Sequence, residues 1–167
     1  MRWIFASLSI LLAAPAGAQV LFERADVRID PAPIAAKEGA PASAVRLSTS
    51  YNIEVRGEDA LQLDYIHTLN TLSDTTGVAI VFAAPSIAAL PRMQVFTPID
   101  ALFVANDGTI VQIYPDVVLG ELQQDLYAKE PTRAFVFLKS GEAALRGIKP
   151  RDTVAGTMFM PAPPVME

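Results

Sequence analysis

The chain has 167 residues, is 51% hydrophobic and carries a formal net charge of −5 at pH 7. This length fits one domain with a core of its own, and the acidic balance argues against nucleic acid as a partner. One His and no Cys leave too few ligands for a structural zinc, haem or iron–sulfur site, and no glycine-rich phosphate loop is present, so we expect no metal and no cofactor.

Residues 1–18 have the pattern of a secretory signal peptide. Arg2 precedes an apolar run over residues 4–14, and Ala16-Gly17-Ala18 supplies small residues at a cleavage site. The run is shorter than the roughly 20 residues of a membrane-spanning helix, which disfavours a membrane anchor. We therefore expect cleavage after Ala18, a periplasmic or secreted protein, and no membrane span in the mature chain.

The next segment, residues 19–44, is rich in Ala and Pro and lacks helical or alternating periodicity. It predicts an extended arm or linker, part of which is apolar enough to lie along the domain as an edge segment. A single domain is then predicted for residues 45–160, followed by a disordered, proline-rich tail at residues 161–167. Apolar and polar residues alternate over residues 46–56, which predicts a strand with one wet face.

An amphipathic helix is predicted after Glu58 and Asp59, because a stripe of apolar residues follows at helical spacing: Leu61, Tyr65, Leu69 and Leu72. Residues 78–82 are short, apolar and β-branched, which indicates a buried strand. A loop is expected from Pro85 to Pro91.

Residues 98–113 predict a β-hairpin. Two apolar, β-rich arms flank Asn106-Asp107-Gly108, and an Asp-Gly turn supplies the positive φ angles that a tight hairpin needs. Because both arms are apolar, we expect the hairpin to lie centrally in a sheet. Pro115 is expected to end the second arm, and residues 116–131 to form a surface excursion.

Two more strands are predicted at residues 133–139 and 153–160. Between them, Ser140 is expected to cap a short helix over residues 141–146. The order of elements predicts a β-rich α+β domain: a mainly antiparallel sheet that closes into a small barrel or sandwich, with two short helices.

The ordered pattern of the domain resembles family 192 of the domains of unknown function. The resemblance covers roughly residues 51–155 and rests on these motifs: residues 77–82 (GVAIVF), 98–100 (PID), 102–104 (LFV), 107–110 (DGTI), 135–138 (FVFL), Gly141, 147–149 (GIK) and Asp152. Members of that family are often small bacterial proteins with export signals, and the family has no assigned activity. The resemblance therefore implies a fold and a compartment rather than a reaction.

The chain departs from the family pattern mainly at polar positions. Tyr65-Ile66-His67 stands where members carry Gly-Leu-Met, and residues 91–95 (PRMQV) stand in place of Trp-Met-Lys-Asn-Thr, with Gln94 at the Asn position. Phe137 replaces an expected strand Glu, and Arg151 replaces a Gly. If the family shares a polar site, the departures imply that this chain has lost or changed it.

Asp100 is the candidate functional acid, because it interrupts the apolar entry to the hairpin. It can accept backbone N–H bonds and fix the strand entry, or it can contact a ligand together with Met93 and Gln94. Met93, Phe96 and Met158 are otherwise expected in the core.

These residues leave two functions open. The first is a non-catalytic module that binds a small ligand or a partner protein at Met93, Gln94 and Asp100, with no catalytic residues. The second is a hydrolase acting on a sugar or ester, in which Asp100 works with a second acid or with His67. A purely structural domain is a third reading. An Asp100 carboxylate closed off and satisfied by its own chain would favour the first function, and one facing His67 or an acid in an open pocket would favour the second.

Overall fold

The computed structural model describes residues 23–33, 46–62 and 66–159. In this part of the chain the strands are β1 (Glu23–Asp30), β2 (Thr49–Gly57), β3 (Thr76–Ser86), β4 (Ala89–Leu90), β5 (Ile99–Val104), β6 (Ile110–Val117), β7 (Leu126–Tyr127), β8 (Thr132–Lys139) and β9 (Thr153–Ala155). The helices are α1 (Glu142–Arg146) and the 3₁₀ helices Glu58–Gln62, His67–Asn70, Leu119–Glu121 and Thr157–Phe159. The predicted signal peptide and tail lie outside the described residues.

One curled sheet of seven strands organises the domain, in the order β6-β5-β8-β3-β2-β1-β9, and β4 pairs separately with β7. The β-rich class is confirmed. The sheet is not all antiparallel, because β2 and β3 are parallel neighbours. It curls into a half-barrel whose edges approach each other at one end. There the Ile110 N–H donates to the Asp152 carbonyl at 2.8 Å, and the Val154 N–H donates to the Gly108 carbonyl at 2.7 Å.

The central strands are buried on both faces, so their alternate residues belong to two cores. Phe103 and Phe135 pack on one face with ring centroids 4.3 Å apart, and Leu102 and Val136 pack on the other. Every residue of β5 is buried, as predicted for the first arm of the hairpin. The second arm, β6, lies at an edge of the sheet and is only partly buried. The prediction of a central hairpin therefore holds for β5 but not for β6.

The hairpin turn is confirmed at the predicted residues. The Gly108 N–H donates to the Ala105 carbonyl at 3.0 Å, and the Ala105 N–H donates to the Thr109 carbonyl at 2.8 Å. Gly108 has a φ of 84°, whereas Asp107 does not have a positive φ. Asp107 instead accepts the Thr109 N–H on Oδ1 at 2.9 Å, so it closes the turn with its side chain.

The predicted amphipathic helix is wrong as an α-helix. Its place is taken by the two 3₁₀ helices Glu58–Gln62 and His67–Asn70, while Tyr65 lies outside the described residues. Leu69 is buried as the stripe predicts. The Thr68 hydroxyl, however, donates to Glu54 at 2.8 Å, and such side-chain bonds compete with a regular helix.

Two prolines lie within strands, contrary to prediction. Pro85 belongs to β3, and Pro115 belongs to β6, which continues to Val117. The β5–β6 register shifts between the pairs Ala101–Tyr114 and Ile99–Val117, so Pro115 and Asp116 form a bulge on an edge strand. A proline is tolerated there because no ladder hydrogen bond requires its missing N–H.

The segment predicted as an arm contains a strand of the sheet. β1 pairs with β2 over residues 23–29 and with β9 over residues 28–30, so this part of the segment lies along the domain as expected, but inside the sheet rather than at its edge, which β9 forms. The last predicted strand is shorter than expected, since β9 ends at Ala155 and a 3₁₀ helix follows. None of the helices in the described ranges has the length and apolarity needed to cross a bilayer.

Candidate functional site

Asp100 is fully buried and is satisfied by backbone donors. Its Oδ1 accepts the N–H groups of Asp116 at 3.0 Å and of Gly141 at 3.2 Å, and its Oδ2 accepts the Ala143 N–H at 2.8 Å. One carboxylate in β5 thus holds the bulge of β6 and the first turn of α1. This is the closed arrangement, in which backbone amides occupy both oxygens and no surface is left for a ligand.

The cap of α1 differs from the prediction. Gly141 is the N-cap residue, with a φ of 80° and no side-chain cap bond, so Ser140 does not cap the helix. The Ser140 hydroxyl donates to the Asp116 carboxylate instead. Asp100 supplies the acceptor that an N-cap side chain ordinarily provides, and its negative charge suits the helix N-terminus.

A second buried acid, Glu142, lies in the first turn of α1 and was not found from the sequence. Its Oε1 accepts the Tyr51 hydroxyl at 3.3 Å and the Arg146 Nε–H at 2.7 Å. Burial raises the pKa of Tyr51, and the neighbouring Glu142 carboxylate raises it further, so the hydroxyl keeps its proton and donates it. The hydrogen bond between Tyr51 and Glu142 joins α1 to β2.

Met93 and Gln94 lie apart from this acid cluster, in the loop that leads into β5. Exposure alternates along this loop: Arg92, Gln94 and Phe96 are exposed, whereas Met93 and Val95 are buried at 2% and 0%. Arg92, Met93, Gln94 and Phe96 line a cleft of about 340 Å³, which we call the Arg92 cleft. Asp100 does not line it, so the structure joins two of the three predicted binding residues and leaves out the third.

Backbone hydrogen bonds fix this loop against residues 118–121. The Met93 N–H donates to the Leu119 carbonyl at 3.3 Å, and the Gly120 N–H donates to the Val95 carbonyl at 2.8 Å. The Val95 N–H also donates to the Met93 carbonyl at 2.8 Å, a tight turn with Gln94 at its tip. The three exposed side chains are therefore presented by an anchored backbone.

Phe96 was expected in the core, but 63% of it is exposed. Its ring lies against Gly120: a Cβ added there would come within 2.6 Å of the Phe96 Cε1 atom. Among the described residues, neither Arg92 nor Gln94 has a hydrogen bond or ion pair through its side chain. A guanidinium, an amide and an aromatic ring are thus available to a ligand.

Two further clefts are lined by acids and offer a ligand fewer kinds of functional group. One, of about 470 Å³, is lined by β9 together with Asp26 and Asp107, whose carboxylates accept bonds from Asn52 and Thr109. The other, of about 460 Å³, is lined by the exposed acids Glu58 and Asp59 and otherwise mostly by apolar residues, with no Arg, Lys or His among its described lining residues. Within the described ranges, no three acids or histidines are grouped in a way that could hold a metal ion.

The sequence matches a known protein family. The family model DUF192, an uncharacterized ACR, matches residues 42–156, which is more than half of the chain. The protein therefore belongs to the DUF192 family, in agreement with the resemblance read from its motifs. A search of curated proteins found no match.

Two solved structures share the fold. One is a candidate transcription regulator from Sinorhizobium meliloti 1021, with 19% identity and a TM-score of 0.65, covering 82% of this chain and 96% of the other. Another is a protein of unknown function from Novosphingobium aromaticivorans DSM 12444, with 24% identity and a TM-score of 0.65, covering 86% of this chain and 94% of the other. At these identities the likeness establishes the fold alone.

Proposed function

We propose that the protein is a small exported module, periplasmic or secreted, that binds a small ligand or a partner protein at the Arg92 cleft and catalyses no reaction. The signal-peptide pattern of residues 1–18 supports export. The alternation of exposed Arg92, Gln94 and Phe96 with buried Met93 and Val95 is the observation that carries the binding proposal. All three exposed residues line the Arg92 cleft, so the loop brings three unlike functional groups to one surface.

Asp100 supports a non-catalytic role because both oxygens of its carboxylate already accept backbone hydrogen bonds. A general acid or base must reach the reacting group within hydrogen-bonding distance, either directly or through one water. The Asp100 carboxylate is 0% exposed and accepts three backbone N–H bonds. A hydrolase that used it would first have to break the cap of α1.

A ligand screen followed by backbone-amide NMR tests the proposal. We expect a binding compound to shift the amide signals of residues 92–96 and 119–121. Gln94→Ala should weaken that binding. Gln124→Ala should not, because Gln124 is exposed and its side chain has no hydrogen bond with the described residues. A broad library that never shifts these signals would contradict the binding role and favour a purely structural domain.

A parallel assay addresses the hydrolase alternative. Chromogenic esters and glycosides are incubated with the parent protein and with folded Asp100→Asn protein. We expect no turnover above buffer from either. Turnover by the parent that disappears in the folded variant would overturn the non-catalytic proposal.

A further inference from the structure

We propose that the ligand of the Arg92 cleft is a small carboxylate whose acid group is carried on a single ring. The inference rests on the proposed binding function and adds the chemical class of the ligand. Arg92, Phe96 with Gly120, and Gln94 each contribute one part of this recognition.

Arg92 supplies the site for the acid group. Arg92 lines the cleft, and its guanidinium has no ion pair or hydrogen bond with the described residues. A guanidinium presents parallel N–H donors that fit the two oxygens of a carboxylate. The chain as a whole is acidic, with a net charge of −5, so no long-range field attracts anions and recognition must come from this local group.

Phe96 supplies a surface for the ring. One part of the Phe96 ring packs against Gly120, and a side chain at residue 120 would displace it: a Cβ there would lie 2.6, 2.7 and 2.9 Å from the Cε1, Cδ1 and Cζ atoms of Phe96. This contact with Gly120 restricts the positions open to the ring before a ligand arrives, which reduces the ordering cost of binding. The exposed face of the ring can stack on a flat aromatic ligand or pack against the C–H face of a sugar.

Gln94 and the size of the cleft limit the ligand further. The Gln94 amide offers both a donor and an acceptor at the tip of a fixed turn, which suits a hydroxyl or a second carboxyl oxygen. A cleft of about 340 Å³ is at the lower end of small-molecule sites, which run from about 300 to 1,000 Å³. This volume suits a ligand of one ring with its acid group.

The ring can come from a sugar acid or from an aromatic acid, and calorimetric titration with matched pairs separates these sources. Galacturonate is compared with galactose, and benzoate is compared with benzyl alcohol, on the purified exported protein. We expect at least one of the acids to bind, and its neutral counterpart to bind about tenfold more weakly or worse, because the neutral compound leaves the guanidinium unpaired.

Variants locate the interaction. Arg92→Met keeps the length of the side chain but removes the charge, and should weaken binding of the acid about tenfold. Lys129→Met removes an exposed cation elsewhere and should leave binding unchanged. Gly120→Ala displaces the Phe96 ring, so it should weaken both acids and neutral ring compounds.

Three results would overturn the inference. They are equal binding of acid and neutral partner, binding that survives Arg92→Met, and no binding by any acid up to about 10 mM, which corresponds to negligible affinity. In each case a different compound that shifts the signals of residues 92–96 would leave the proposed binding function standing. The absence of every such compound would remove that function as well.

Discussion

Asp100 belongs to a strand, yet it works as the cap of a helix. Its carboxylate reaches the N–H groups at the start of α1 and also the N–H of Asp116, which has the unusual φ of 52° in the β6 bulge. A buried carboxylate is costly unless it is hydrogen-bonded, and here three backbone donors meet that requirement. The strand, the bulge and the helix are therefore stabilised together.

Asp100→Asn tests this role. The amide keeps one acceptor oxygen but turns an NH₂ group toward backbone donors, so at least one buried N–H loses its partner. We expect the free energy of unfolding to fall by about 2–3 kcal/mol, measured by urea denaturation at neutral pH. Asp125→Asn should cost far less, because Asp125 is half-buried and its carboxylate has no hydrogen bond or ion pair with the described residues.

A variant as stable as the parent would show that Asp100 is not needed for the fold and is retained for another purpose, because active-site acids commonly reduce stability. The sequence predicted that Asp100 would bind backbone amides at the strand entry. It did not identify the donors, since Asp116, Gly141 and Ala143 are distant in the chain and only the fold brings them near. The exposed series 92, 94 and 96 was readable as an alternation, but Phe96 was assigned to the core from its side chain alone.

At the scale of elements, the hairpin turn also joins the two edges of the sheet. Gly108 has a φ of 84°, and a Cβ there would lie 2.5 Å from the Val154 carbonyl oxygen. Gly141 has nearly the same φ, 80°, but a Cβ there would meet nothing within 4 Å. An L-residue at either position would incur a similar cost for the left-handed backbone conformation. Only at residue 108 would its Cβ also clash with another strand.

Gly108→Ala and Gly141→Ala therefore form a matched pair. Gly141→Ala should lower the unfolding free energy by about 1–2 kcal/mol, the usual cost of a left-handed conformation. Gly108→Ala should cost about 1–3 kcal/mol more, because β9 must move away from the turn. Thermal and urea unfolding measure both. Equal losses would mean that the hairpin tip and β9 are not packed against each other.

The same element shows what sequence patterns can and cannot predict. The Asp-Gly turn and the apolar arms were predictable because turn chemistry and β propensity are local. The α-helix predicted for residues 58–72 and the strand end predicted at Pro115 were wrong, because tertiary contacts decided both. Thr68 bonds to Glu54 of β2, and the Pro115 bulge is held from β5 by Asp100.

At the scale of the molecule, Asp152 ties distant segments together. Its carboxylate accepts two bonds from Arg46, at 2.6 and 2.9 Å, and further bonds from the N–H groups of Ala32 at 2.9 Å and Lys149 at 2.8 Å. Burial acts to raise the pKa of Asp152, but the bond from Arg46 and the two backbone bonds outweigh it, so the pKa lies below its ordinary value.

The sign of the pH dependence follows from that lowered pKa. The stabilisation is fully present above the pKa of an unfolded Asp, about 3.9, and is lost as the pH falls through the folded value. Asp152→Asn should cost about 2–4 kcal/mol at pH 7. The gap in stability between this variant and the parent should begin to narrow below about pH 4 and should close as the pH falls through the lowered pKa of Asp152. Urea midpoints measured across pH test this.

Asp74→Asn serves as the control for Asp152. Bonding to Lys139 also lowers the pKa of Asp74, but both side chains are exposed and water screens the pair. Its removal should change the acid part of the curve little. A gap between the parent and Asp152→Asn that stays constant at low pH would contradict the role assigned to the ionised Asp152.

Trp3 provides a direct test of whether the signal peptide is removed on export. Trp3 is the one Trp of the chain and precedes the expected cleavage site after Ala18. The exported protein should therefore begin at Gln19 and show no indole fluorescence, with an intact mass that lacks residues 1–18. Ala18→Phe puts a bulky side chain where signal peptidase requires a small one, so this variant should remain uncut and keep its indole emission. Exported parent protein that still fluoresces as Trp, or that has the full-length mass, would rule out cleavage at this site.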